Sequence, residues 1–434
     1  MTRKTRLITM AVLTAAIALP LSAKNKPEEA KDSLLNDHHI VLVGSDSKGA
    51  PSQESRRKLI EQFYIDQFEN SRDPQSPYFI FMSRDANFAM GVGGDVRMRG
   101  YFDPGNSMPG SDFVPVDIPM HRTDLNRNHL GTSLGGSALY FRVIGNHQKI
   151  GNYQVYIRAK FNGPNNEFKL NKAYAIVNDW TFGYAMSTFS DPDAEPPSVD
   201  SDFASLSMDY SRLLVRWAHS FTKSGMSVAA SLEVPKLNID ETQYTKARSQ
   251  SVPDVVAMTQ YSWASGQHIR LSGVMRWLPY RDMLAGRNHS PMGWGMQLST
   301  VLNPVSPLVL YGTFNIGRSY SNNSGDFLLG DYDLVGNPAV DGRLKTIPQW
   351  SYLVGASYYF THKLYSTVAF GQARVTSRKL DNEYKYGLFG TANLIYKITP
   401  RVNVGAQFSL GKRADYDGDS AWARRLSLAA QFSF

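Results

Sequence analysis

Nine basic side chains of this chain stand among apolar neighbours: Arg97, Arg99, Arg142, Arg158, Lys160, Arg212, Arg216, Arg270 and Arg276. Arg212 and Arg216 alternate with Leu213, Val215 and Trp217, and Arg270 and Arg276 with Ile269, Leu271, Met275 and Trp277. On a β-strand such spacing puts the apolar groups on one face and the cations on the other. Opposing them is one acidic stretch, residues 191–202, in which Asp191, Asp193, Glu195, Asp200 and Asp202 are held among three prolines. A stiff anionic segment facing basic walls sets up a transverse field that sorts solutes by charge and dipole. The alternative is an external loop that binds divalent cations or is merely solvated.

Catalysis finds little support. No His-Glu-x-x-His spacing, phosphate-binding loop or Gly-x-Ser-x-Gly elbow is present. Asp200 with Asp202 as a carboxylate pair, or His219 as a base, has nothing in the sequence to fix its geometry. The nine histidines are scattered, and with no cysteine there is no thiol nucleophile, disulfide framework or thiolate metal site. The expectation is a non-enzyme without cofactor or metal.

The elements that must position the charged residues read as strands from Phe88 onward. In the first, Phe88, Met90, Val92, Gly94, Val96, Met98 and Phe102 share one face, and Asp95, Arg97, Arg99, Tyr101 and Asp103 the other. Further alternating runs fall near 134–145, 151–162, 166–177, 180–189, 209–222, 225–235, 252–264, 267–279, 291–303, 307–319, 347–359, 363–375, 384–398, 400–411 and 422–434, sixteen strands in all. Every second link is short, as at 222–225, 265–266, 303–306, 361–362 and 399–400. The links between are mostly long and polar, including 103–133, 190–208, 235–251, 280–290, 320–346 and 412–421. This asymmetry and an even strand count predict an all-β fold, a transmembrane antiparallel β-barrel of the outer-membrane kind.

The last strand ends the chain on Phe434, with Leu426, Leu428, Ala430 and Phe432 on its apolar face. An aromatic carboxy-terminal strand is the closing seam of such barrels and the segment offered to the barrel-assembly machinery. Ser427, Ala429, Gln431 and Ser433 make its other face bland, which places selectivity elsewhere. An arginine turned to lipid near the midplane would cost roughly 2–4 kcal/mol, so the nine cations belong inside. Sixteen tilted strands leave an aqueous channel for them to line.

The amino end divides from the barrel. Residues 1–23 read as a removed signal peptide, with a basic start at Arg3, Lys4 and Arg6, an apolar run from Leu7 to Leu21 and a cleavage site at Leu21-Ser-Ala23. Residues 24–76, including His38 and His39, form a polar periplasmic extension; Ser52–Asn70 can be helical, with Leu59, Ile60, Phe63, Tyr64 and Phe68 in one stripe. Residues 77–434 are the barrel. No apolar run of about 18 residues follows the signal, which excludes helical spans. The mean hydropathy of −0.33 is what half-exposed strands give. The 23 Tyr, 22 Phe and 7 Trp suit interfacial girdles. The net charge of +8 is dispersed, which argues against a nucleic-acid partner.

A family resemblance is carried by three segments. Ser187-Thr-Phe-Ser-Asp-Pro-Asp-Ala-Glu-Pro-Pro197, Phe79-Ile-Phe-Met-Ser-Arg-Asp-Ala-Asn-Phe-Ala-Met-Gly-Val-Gly-Gly94 and Met275-Arg-Trp-Leu-Pro-Tyr-Arg-Asp282 resemble DcaP-like outer-membrane porins. The likeness spans roughly residues 76–434. It implies a homotrimer of sixteen-stranded barrels in outer-membrane lipid, passing small organic anions such as dicarboxylates. It also implies that the acidic segment, as the third external loop, folds into the barrel and constricts it. A barrel acting as an adhesin or structural anchor, without channel activity, is the competing reading.

Overall fold

Alternation along the strands is resolved as two unlike environments. In the last strand Leu428 is 67 % exposed and its neighbour Ser427 2 %. Outward positions are mostly apolar, as at Val96, Met98, Leu213, Ile269, Met296 and Val368, while inward positions carry most of the buried polar and charged side chains, such as Arg216, Arg270, Gln297, Ser409 and Ser427. This is inside-out for a water-soluble sheet, and only a lipid phase solvates such an exterior favourably. The computed structural model describes residues 38–44, 51–63, 77–121, 123–124, 127–161, 167–200, 211–221, 223–234, 236–237, 239, 241–264, 266–323, 333–376 and 383–434. Among them no helix is long and apolar enough to cross a membrane.

Sixteen antiparallel strands close the barrel. They are β1 Phe88–Asn106, β2 Ala138–His147, β3 Gly151–Phe161, β4 Phe168–Val177, β5 Trp180–Met186, β6 Ser211–Phe221, β7 Met226–Glu233 and β8 Asp254–Ala264. The second half comprises β9 Gln267–Trp277, β10 Met292–Val305, β11 Leu308–Arg318, β12 Pro348–Tyr359, β13 Leu364–Val375, β14 Tyr384–Thr399, β15 Val402–Asp415 and β16 Ser420–Ser433. Each pairs with the next, and β16 returns to β1 in the register Leu426↔Phe102 to Ser433↔Asp95. Phe434 completes the seam by exchanging two backbone hydrogen bonds of 2.9 Å with Gly94. Closure leaves no strand edge unpaired in lipid. Gly94 is required there, since a Cβ would lie 2.6 Å from Ala138 O and 2.9 Å from the Phe434 ring.

Among the strands that the sequence reading did not place, two pair directly with β1. Arg127–Ser133 pairs with the upper half of β1, Arg99–Asn106, inside the expected 103–133 loop. Its segment, Arg-Asn-His-Leu-Gly-Thr-Ser, lacks apolar alternation, so no period marked it. Phe79–Ser83 pairs with Ala89–Val92 of β1, directly beneath the point where β16 stops. It satisfies a stretch of β1 edge that the chain terminus leaves open.

His39–Val43 adds to Phe79–Ser83 in parallel. The helix α1, Gln53–Gln62, is capped by Ser52, whose Oγ accepts from Ser55 N at 3.1 Å. Its stripe Leu59, Ile60 and Phe63 packs on Ile80, Met82, Ala89 and Ile144, which face inward at the short-turn end of the barrel. The expected continuation of this helix toward Asn70, with Tyr64 and Phe68, lies outside the described residues.

Candidate functional site

After β5 the chain turns into the barrel and runs across the inner faces of β7 to β16. Thr188 N donates to Glu233 at 2.8 Å and Ser231 Oγ donates to Thr188 Oγ1, which fixes the exit. Asp191 then precedes a short 3-10 turn, Pro192–Ala194. Its carboxylate accepts from His268 Nε2 at 2.8 Å and from the Ser299 hydroxyl, and lies 3.8 Å from Arg270 Nη1. Arg270 also donates to Ser190 O at 2.6 Å and to Gln260. This end of the segment is thus seated on β9 and β10.

The other end is seated further round the barrel, on β12 to β16. Pro196 packs so closely on β12 that a Cβ on Gly355 would be 2.6 Å from it. Pro197 O accepts from Asn393 of β14, and Val199 N donates to Gln407 of β15. Val199 O accepts from Arg97 Nη2 at 2.7 Å. Asp200 accepts from Ser427 at 2.8 Å and Ser409 at 3.2 Å, and is 3.5 Å from Arg99. Asp193 and Glu195 fall on the crossing portion and are half-buried; Asp202 lies outside the described residues.

Burial alone pushes the Asp191 carboxyl up. The Arg270 charge and the hydrogen bonds from His268 and Ser299 more than offset it, holding Asp191 well below the usual carboxylate range. It is an anion locked in place by its partners, and not a free charge.

The nine cations are distributed around this segment in separate groups. Arg97 and Arg99 share the β1–β15–β16 wall with Asp200, and Arg99 also donates to Ser111 O at 2.7 Å and to Asp112. Arg270 joins Asp191, whereas Arg276 is held elsewhere, between Asp254 at 3.0 Å and Asp333 at 2.7 Å. Arg216 donates to Met186 O and Thr181 Oγ1 at the root of the crossing segment. Arg142 donates to Phe63 O, the carbonyl at the end of α1, and stacks 4.6 Å over Tyr156. That placement sets a cation at the negative end of the helix.

A further group forms a row across neighbouring strands. Arg158 opposes Tyr140 of β2 on one side and Lys172 of β4 on the other. Arg212 opposes Ala185 of β5, and Lys160 sits one inward step from Arg158. Asp95, 3.6 Å from Arg158, is the carboxylate at its edge.

Several interior residues escaped the sequence reading. Arg425 pairs with Asp103 through two hydrogen bonds of 2.7 and 2.9 Å, with its guanidinium 4.0 Å over the Tyr101 ring. It also donates to Gly110 O and Ser111 O, pinning a second inward segment whose Phe113 abuts Gly411. Continuing the β16 alternation one step before Ser427 would have found it. The supposedly bland face is engaged too: Gln431 and Ser433 both donate to Asp95. His219 bonds Asp179 of the short β4–β5 turn at 2.9 Å.

The outer membrane channel DcaP of Acinetobacter baumannii superposes with a TM-score of 0.68 at 19 % identity, over 80 % of this chain and 98 % of that one. The fold here is that of a DcaP-like porin. An anion-selective porin from Comamonas acidovorans gives a TM-score of 0.52 at 10 % identity, over 80 % of this chain and 100 % of that one. Salmonella typhi OmpF in complex with daunomycin gives 0.51 at 11 % identity, over 80 % and 98 %. No protein-family model and no curated protein matches the sequence.

Proposed function

We propose that this chain is an outer-membrane porin through which small hydrophilic solutes diffuse passively, with preference for small organic anions such as dicarboxylates. The porin reading is carried by one observation: a closed barrel with a mostly apolar exterior carries inside it an acidic segment fastened from β9 round to β16. The likeness to solved outer-membrane channels supports it. For the anion preference the support is the row of Arg158, Lys172 and Arg212, with Lys160 beside it, across β3–β6. Asp193 and Glu195 on the crossing segment would supply the opposing sign, so that a solute meets a transverse field at the narrowing.

The same reading takes residues 1–23 as a removed signal and 24–76 as a periplasmic extension. It takes the strand ending at Phe434 as the segment recognised during barrel assembly, and a homotrimer as the working form. Purified protein in planar bilayers tests the proposal. Discrete conductance steps are expected, with a reversal potential in a salt gradient on the anion side. A joint Arg158→Gln, Lys172→Gln and Arg212→Gln change should move that potential toward cations. A silent bilayer from folded protein would favour the adhesin or anchor reading instead, and an unmoved potential would remove the row from the selectivity argument.

A further inference from the structure

The exterior of the barrel is not uniform at its long-loop end. Over one half, the outward residues there are apolar: Phe168, Leu213, Leu232 and Met275 are 53 %, 56 %, 52 % and 45 % exposed. Over β12–β16 the corresponding level carries Arg374, Lys412 and Arg424, interleaved with Trp350, Tyr386 and Trp422. The register makes one band of them. Trp350 opposes Arg374, which opposes Tyr386, and Lys412 opposes Trp422. Arg424, opposite Leu410, lies next to Trp422 on the same outward face of β16.

These side chains look away from the lumen, because their strand neighbours Gln349, Ala373, Ala423 and Arg425 are buried inside. Two of the three cations, Arg374 and Lys412, are held by rings and not by acids. Arg374 lies 5.9 Å over Tyr386, and Lys412 Nζ is 3.3 Å from the Tyr386 hydroxyl and 5.7 Å over Trp422. None has a carboxylate partner among the described residues, and the exposed Asp417 and Asp419 lie on the turn beyond the strand ends.

We infer that this band binds the phosphate groups of an outer-leaflet glycolipid. Rings at this level mark the boundary between acyl chains and headgroups. Cations there gain from anionic headgroups, about fivefold in affinity per charge. Guanidinium and ammonium donors suit phosphate oxygens, and the apolar band below, with Phe370, Phe408 and Leu426, receives acyl chains. The short turns face the periplasm in such barrels, so the band faces the outer leaflet. Charge complementarity selects a phosphorylated lipid over a second copy of this chain, whose described exterior presents cations at the band and apolar groups opposite.

The test uses full-length protein purified in detergent, with a bis-phosphorylated glycolipid, its dephosphorylated form and inorganic phosphate as probes, read by native mass spectrometry. The variant is Arg374→Gln, Lys412→Gln and Arg424→Gln together, checked for folding by heat-dependent electrophoretic mobility. Wild type is expected to retain the bis-phosphorylated lipid. The variant and the dephosphorylated lipid should each weaken binding by about a hundredfold. Single Arg→Gln variants provide the same reading, at about fivefold each, if the triple variant fails to fold. Equal retention by the variant overturns the inference, as does equal binding of the dephosphorylated lipid. Displacement of the lipid by equimolar inorganic phosphate would show a small-anion site instead. A variant that changes oligomeric state with lipid retention intact would show a subunit contact; either result also overturns it.

Discussion

Asp191→Ala removes the carboxylate that seats the crossing segment on β9 and β10. The Asp191 side chain is 1 % exposed and that of Arg270 0 %, so the change leaves a buried guanidinium without its counter-charge. Removing one member of a buried pair costs about 3–5 kcal/mol. Arg270 retains Ser190 O and Gln260 as acceptors, which sets the effect near the lower bound, about 3 kcal/mol. At 1.4 kcal/mol per tenfold, that shifts the ratio of seated to unseated segment by about a hundredfold. Single-channel recording should then show Asp191→Ala stepping between two conductance levels where the wild type holds one. Asp191→Asn, which keeps the shape and loses the charge, should fall between them. Acid should mimic the change, with a definite sign. A carboxylate held low in the folded state contributes its full stability above the ordinary value of 3.8 and loses it only as pH falls below that. Wild-type channels should therefore stay quiet down to about pH 4 and flicker beneath it. A steady Asp191→Ala channel of wild-type conductance would refute the claim that this anchor holds the segment.

Three other outcomes follow from the interior contacts. Gly94→Val should prevent seam closure and abolish the compact, heat-modifiable band on unboiled gels, because its Cβ meets Ala138 O and Phe434. Arg425→Met should lower stability by about 3–5 kcal/mol by stranding Asp103, with the double change Arg425→Met and Asp103→Leu recovering much of it in chemical denaturation. Leu59→Asp with Ile60→Asp should release α1 from its apolar seat. Freed from Phe63 O, Arg142 should then raise anion selectivity at the short-turn mouth, measured as reversal potential; an unchanged potential would mean the helix leaves the pathway's charge untouched.

Most of the barrel was legible because lipid and lumen impose opposite solvents on adjacent residues, and period 2 records that directly in pairs such as Val215 and Arg216. Strand count and the alternation of short and long links came with it. The path of residues 187–200 was not legible in the same way. Its partners, His268, Ser299, Asn393, Gln407 and Ser427, are drawn from strands far apart in sequence, and no local spacing encodes them. Arg425 was missed because the two faces of the 422–434 strand were assigned only from Leu426 forward, and Arg127–Ser133 because an exposed polar strand carries no apolar period. The cations were legible as inward, but their division between pinning loops and facing solutes depends on those distant partners.

The two-ended seating of the crossing segment bears on the order in which the molecule is made. Its first anchor is available once β9 and β10 have been laid down, but Asp200 needs Ser409, Ser427 and Arg99. Those belong to the two final strands and to the first one, residues brought together only when the sheet has zipped into a ring. Contacts of such long sequence separation form late. The segment is therefore not fully seated until the last strand is in place, so an incomplete cylinder holds it at one end only. Closing the wall and fastening the segment are a single event.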